Sequence, residues 1–454
     1  MTNLKLLVAS VFAVAVFSCD KNSCVNQEDL RVPQNFDEAM QHEFDKTHDP
    51  KTGTIPFERL LLAEQYYNEM SNLKTKTDAP FSNIKWQERG PNNIGGRTRA
   101  ILFLSAKKVL AAGVSGGLWK TDDITVASPT WEPIEHFLTT GINVTSIAQD
   151  PTSLGTLYAG TGEAFGSSFR GQGIYKSTDT GSTWTQLSTT SPSSSNDFSY
   201  VAKVLVDSNN NVYAACKSAI FCNAGGLMKS TNGGTSWSRV VGTYTGCGNC
   251  GCADDYVGAD IEMNADEDIF YSSGSSGYDG HIFISKRSTH GTSTGNSGNW
   301  TDITPTGTWE RIEIGVSHQD ASGVIYAACE GSGSNDVTGI FYSENKGSTW
   351  SATRTVPTIC DQGSNSKYTR SQAWYDQVVV VDPTDDDIVY LGGIDLVKSL
   401  DSGKTFNQIT TWSAYWPVSY GCMCCSGSPP PVIHADQHAL VFNPFTTNAA
   451  LSGN

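Results

Sequence analysis

Gly173-Ile174-Tyr175-Lys176-Ser177-Thr178-Asp179-Thr180-Gly181-Ser182-Thr183-Trp184 returns twice in good form, as Gly226 to Trp237 and as Gly339 to Trp350. A weaker copy runs from Leu396 to Phe406. Degenerate copies are Gly117 to Asp122 with Trp131, and Ile282 to Ser285 with Trp300. The closing aromatics are 50 to 63 residues apart. The shared Ser-x-Asp-x-Gly-x-Thr-Trp pattern has a mechanical meaning. The Asp or Asn side chain caps a tight hairpin, Gly takes a positive-φ position, and Trp packs between sheets. A β-rich partner segment precedes each good copy and the weaker one: Thr156 to Gly160, Asn211 to Ala215, Val324 to Ala328 and Asp387 to Gly392. A repeat of about fifty residues made of short strands is a propeller blade, because radial stacking leaves no long exposed sheet edge. The expected fold is an all-β propeller of seven blades. Val432 to Pro444 begins a last unit, Ala449 to Leu451 adds a strand, and the sequence stops before the hairpin turn. The expectation is a propeller truncated at its C-terminal end.

Composition agrees with this class. Of 454 residues, 38% are hydrophobic and only 17% charged, with 44 Gly and 17 Pro spread along the chain. The 11 Trp, 17 Tyr and 18 Phe are enough aromatic bulk for a core. Few charges and many aromatics favour strands over helices. The net charge is −16, and no Lys/Arg run occurs. Nucleic acid is therefore excluded as a partner, since phosphate binding requires concentrated positive charge.

Lys5 followed by the apolar run Leu6 to Phe17 reads as an export signal over residues 1–18, too short to span a membrane. Val16-Phe17-Ser18-Cys19 resembles a bacterial lipobox, which makes Cys19 the lipidation site of a cell-envelope lipoprotein; Phe17 departs from the usual motif, and plain secretion is the alternative. Residues 19–34 read as a tether and 35–80 as a helical segment, with Phe57, Leu60, Leu61, Tyr67 and Met70 at helical spacing. Residues 81–454 form the propeller. Export makes disulfides the first reading of the Cys-rich loops Cys247 to Cys252 and Cys422 to Cys425, and of Cys216, Cys222, Cys329 and Cys360.

Arg89-Gly-Pro91, Gly95-Gly96-Arg97, Ser115 to Thr121, Gly160 to Glu163 and His434-Ala-Asp436-Gln-His438, together with the repeats, resemble the BNR/Asp-box propeller superfamily. That superfamily includes sialidases, xyloglucanases, the sortilin ectodomain and a photosystem assembly factor. The nearest resemblance is to exported bacterial BNR-repeat proteins, often labelled glycosyl hydrolase. It covers about residues 86–454 and implies a fold and an address, not a reaction. The sialidase start motif is missing, no three-Arg clamp is apparent, and xyloglucanases usually pair two propellers.

Propellers bind ligands at the channel mouth, and three segments are expected to reach it. Glu163 and Asp436 are the candidate catalytic carboxylates of a glycosidase, which needs two flanking the scissile bond. Arg97, Arg99, Arg170, His434 and His438 are candidate ligand-binding residues. Other readings remain open. Glu163 is otherwise a carboxylate accepting backbone amides, and Arg97 an ion pair joining first and last blades. His434, Asp436 and His438 alternate, so in a strand they share one face, as ligand contacts, metal ligands or a structural network. Trp309, Trp374, Trp412 and Trp416 are candidate sugar platforms or core residues. No cofactor and no metal is expected. The partner is a polysaccharide or a protein, bound by a non-catalytic propeller or hydrolysed by a glycosidase, and any membrane contact runs through the lipid.

Overall fold

The computed structural model describes residues 44–45, 48–53, 97–138, 143–163, 165, 169–217, 225–242, 256–275, 277–351, 353–361, 364–412, 430–446 and 449–454. The export signal, Cys19, the tether, both Cys-rich loops and most of the N-terminal helical segment lie outside these residues. Of that segment, residues 44–45 are helical and 48–53 form a turn.

The chain from Trp86 onward is one compact unit, and its fold is a β-propeller. Successive antiparallel sheets each start with an inner strand: Thr98–Phe103, Val144–Gln149, Tyr200–Val206, Gly258–Met263, Trp309–Val316, Val378–Asp382 and Ala439–Phe442. Among the described residues, five sheets have four strands each, in simple up-and-down order. Neighbouring inner strands touch in chain order, and Ala439–Phe442 touches both Val378–Asp382 and Thr98–Phe103, which closes the ring. The closure is also hydrogen-bonded: the Thr98 amide donates to the Asn454 carbonyl at 3.0 Å. The last sheet holds two described strands, Ala439–Phe442 and Ala450–Gly453.

The apolar cores lie between adjacent sheets. One joins Leu110 and Leu118 of the first sheet and Phe137 of the short 3-10 helix Glu135–Leu138 after it to Val144, Leu157 and Tyr175 of the second sheet and Trp184 of its repeat turn. The repeat turn supplies the bolt. Ser177 Oγ donates to Asp179 Oδ1 at 2.8 Å and accepts the Gly181 amide at 2.9 Å. Asp179 accepts the Thr183 amide and hydroxyl at 2.8 and 2.6 Å. Trp184 donates to the Gly181 carbonyl and packs edge-on against Phe137 at 5.5 Å. The Ser and Asp/Asn bonds recur at Ser230, Ser343 and Ser399. Gly181 has the expected positive φ of 82°, and Thr180 before it is also left-handed at 60°. The weak copy at Ser399 is thus geometrically as complete as the strong ones. The degenerate copy keeps one bond, from the Gly295 amide to Ser285 Oγ at 2.8 Å, with the short helix Arg287–His290 inserted between them. That insertion accounts for the longest repeat spacing.

Ser177→Ala strips the partner from the buried Gly181 amide. We expect a loss of about 1–2 kcal/mol in denaturant unfolding; an unchanged midpoint would mean the turn stabilises nothing.

Two cysteines correct the disulfide expectation. Cys216 and Cys329 are free and buried. They sit in the strands Val212–Lys217 and Ile325–Gly331, packed into apolar clusters as small hydrophobes. Burial pushes both thiols well above their ordinary range. Cys360 is disulfide-bonded.

Candidate functional site at the channel mouth

An inner strand buried between neighbours has one side toward each adjacent sheet, and charged residues in it need partners across the channel. Arg99 extends from the strand Thr98–Phe103, and Glu163 follows the strand Leu157–Thr161. Their charges meet at 2.9 Å, with Arg97 3.6 Å from the other carboxylate oxygen. Glu163 is 1% exposed and Arg99 7%, whereas Arg97 keeps 27% exposure at the surface. The Phe165 amide also donates to Glu163 Oε1 at 3.3 Å. Burial lowers the Arg99 pKa, opposed by the Glu163 charge.

Around this pair stand residues that sequence reasoning missed. Arg97 donates to the Tyr375 hydroxyl. The guanidinium groups of Arg97 and Arg99 lie 5.1 and 5.2 Å from the Tyr375 ring centre. Arg99 and Arg311 share the Phe165 ring at 5.7 and 4.0 Å. Three arginines therefore converge, although no such clamp stood out in the sequence. Half-buried Trp374 is tilted against Tyr375 at 5.2 Å. Asp376, next in sequence, is fully buried, and neither carboxyl oxygen has a hydrogen-bond partner. Burial and then the Asp436 charge push its pKa well above the carboxylate range. Burial also raises Asp436, opposed by His434 and Arg97.

Deeper along the inner strands, Lys203 bonds Asp260 at 2.6 Å and also Glu262. Arg311 donates to Glu313 at 2.9 Å. Burial, then Asp260, raises Glu313 to about 7 against the pull of Arg311 and Lys203. Burial acts against the Lys203 charge, but Asp260, Glu262 and Glu313 together raise its pKa. The missed signal was Asp260-Ile261-Glu262 and Arg311-Ile312-Glu313: charges alternating with isoleucine inside β-rich segments.

The last visible unit departs from the expected alternation. Residues 433–438 are not strand, and Asp436 is left-handed at φ 67°. His434, Asp436 and His438 therefore do not share a sheet face. His434 is exposed, its Nδ1 2.9 Å from the Ala435 carbonyl. His438 is buried, edge-on to Tyr375 at 4.7 Å, with neither ring nitrogen hydrogen-bonded. Burial, then Arg99 and Arg97, holds its pKa well below the ordinary value. These contacts draw His438 and Asp436 toward Arg97 across the ring closure. Arg170 goes elsewhere, donating to Asn196 at 2.5 Å. No group of three or more His, Cys, Asp or Glu able to hold a metal occurs among the described residues. Of the aromatic candidates, Trp309 packs on Phe341 in a core and Trp412 lies under Arg370. Trp416 is outside the described residues.

Several solved structures are similar to this chain at low identity. No protein-family model matches the chain, and no curated protein matches it. A GH74 enzyme from Niastella koreensis is 18% identical over 69% of this chain and 66% of its own, with a TM-score of 0.35. YCF48 from Cyanidioschyzon merolae is 15% identical over 79% of this chain and 92% of its own, at 0.46. The GH74 xyloglucanase from Xanthomonas campestris is 15% identical over 68% of this chain and 52% of its own, at 0.42. The chain thus spans slightly under two thirds of the Niastella enzyme and about half of the Xanthomonas one.

Proposed function

We propose that this chain is an exported cell-envelope propeller of the BNR/Asp-box kind that binds glycan or protein ligands at the mouth of its channel. The observation that carries this is the stepped composition of the mouth. Arg97, Trp374 and Tyr375 are half-exposed, while the Glu163 carboxylate beneath them is already matched by Arg97 and Arg99. Aromatic surface with adjacent arginine is the composition that recognises ligands. A carboxylate occupied in this way holds the site together instead of transferring protons. Export rests on the N-terminal apolar run, and Cys19 is the proposed anchor.

A second reading has one observation in its favour. Burial and the Asp436 charge raise the Asp376 pKa, and a carboxyl kept protonated can serve as a general acid. A glycoside hydrolase would rest on these two more readily than on Glu163 with Asp436.

The experiment is a panel of immobilised polysaccharides and peptides, read in parallel for binding and for reducing-end release. We expect binding without release, weakened about tenfold by Trp374→Ala. Release abolished by Asp436→Asn or Asp376→Asn would replace the binding reading with the hydrolase.

A further inference from the structure

We propose that this chain carries a second ligand site, at the outer edge of the ring on the face opposite the mouth, and that it takes a neutral oligosaccharide. The site lies between the fourth sheet and the repeat turn of the fifth, and it does not depend on the mouth reading above.

The mouth lies where the inner strands begin. Strands alternate in direction, so the repeat turns, which follow the third strand of each sheet, lie at the other face. In the fourth sheet the turn is degenerate. The short helix Arg287–His290 is inserted between the third strand Ile282–Ser285 and the outermost strand Thr301–Asp302. A cavity of about 600 Å³ opens there, lined in part by Lys286, Thr289, His290, Thr301, Ser348 and Trp350. Small-ligand pockets measure about 300–1,000 Å³, so it has room for a short oligosaccharide.

The turn of the fifth sheet departs from its copies in two bonds. Trp184 and Trp237 donate their indole N–H to the Gly181 and Gly234 carbonyls of their own turns. Trp350 instead donates across to the Ile303 carbonyl of the fourth sheet, at 2.6 Å. Ser182 and Thr235 donate their hydroxyls back to the Asp179 and Asn232 carbonyls. Ser348, the equivalent residue, bonds only through its backbone amide among the described residues. The indole is thus tied to the wall of the cavity, and the hydroxyl is left for a ligand.

The polar groups select that ligand. Lys286, Thr289, His290, Thr301 and Ser348 make no side-chain hydrogen bond or ion pair among the described residues. Asp302, the carboxylate in the wall, is already occupied. The Thr304 amide and hydroxyl donate to its Oδ1 at 2.8 and 2.5 Å, and His281 Nδ1 lies 3.1 Å from its Oδ2. Three hydroxyls that each donate and accept stand beside a half-buried indole. A pyranose ring complements both, with hydroxyls around its edge and C–H groups on its face. One lysine without an arginine is a poor receptor for phosphate or carboxylate. An apolar ligand would cover these polar side chains without bonding them.

Calorimetric titration of the chain tests this with cellotriose, maltotriose, galactotriose, inorganic phosphate and tetraglycine. At least one trisaccharide should bind, with an affinity insensitive to salt because no charge is paired. Phosphate and tetraglycine should not bind. Thr289→Trp and Ser348→Tyr add bulk at exposed positions of the cavity wall. Each should abolish binding with an unchanged melting temperature, and if one fails to fold the other decides. Trp350→Ala should weaken binding at least about tenfold. Trisaccharide binding that survives a folded blocking variant overturns the rim site; if Trp374→Ala then removes it, the sugar is held at the mouth and that reading stands. Phosphate or tetraglycine binding in place of a trisaccharide overturns the neutral glycan. Silence from every probe overturns the rim site and leaves the mouth to its own panel of polysaccharides and peptides.

Discussion

Glu163→Leu should lower the unfolding free energy by about 3–5 kcal/mol. The leucine is similar in size and apolar, so the cost comes from what it leaves behind. Arg99 is 7% exposed and loses its only close counter-charge among the described residues, at 2.9 Å. Arg311 and Arg97 already disfavour the Arg99 charge, and Glu163 is what balances them. Breaking one partner of a buried pair costs far more than replacing both. The double variant Arg99→Met with Glu163→Leu should therefore recover most of the loss, and urea unfolding of the three variants measures the coupling. A Glu163→Leu protein within about 1 kcal/mol of wild type would show that the pair behaves as a solvated one, and would remove the structural reason for reading Glu163 as occupied. The prediction also reaches the ring closure, because Arg97 and Arg99 flank Thr98, whose amide bonds the chain's last residue.

The repeat turns were legible because their chemistry is local. Ser177, Asp179 and Gly181 make their bonds within four residues, so spacing alone carries the geometry. The ring followed from counting them. Arg97, Glu163 and His438 were also legible as neighbours of the channel, since each lies at the start or end of a blade strand. Tyr375, Asp376 and Arg311 were not. Their meeting depends on which blades face each other across the channel, and Arg97 and Tyr375 are 278 residues apart. The alternation argument at His434 failed for a definite reason. It assumed strand backbone, and the left-handed Asp436 turns the chain just before Ala439–Phe442 begins. Cys216 and Cys329 were misjudged as staples because composition and address speak for cysteines as a class. Their position in second strands packed against apolar neighbours makes them core.

The second large effect is a gain. Glu330 lies in the strand Ile325–Gly331 and is fully buried, with Oε1 unpaired. Burial raises its pKa to about 7, with Glu310 and Asp336 adding to the rise, while the Arg311 amide and charge oppose it. A carboxyl whose folded pKa lies above its unfolded value binds its proton more tightly in the native state. Its contribution is complete below the unfolded value of 4.5 and is lost as pH rises through about 7. Above that point the wild-type protein carries a penalty of about 3 kcal/mol, from 1.36 kcal/mol per pKa unit. Glu330→Gln keeps an acceptor for the Arg311 amide, which reaches Glu330 Oε2 at 3.3 Å, and removes the charge that faces Glu310. The variant should therefore match wild type near pH 4 and exceed it by as much as about 3 kcal/mol at pH 8. Thermal melts at both pH values test this, and the difference between them matters more than either alone. A constant offset at both pH values would mean that the substitution repacks the strand without touching a titration. A loss at pH 8 would mean that the ionised carboxylate is stabilised there, with Arg311 outweighing burial.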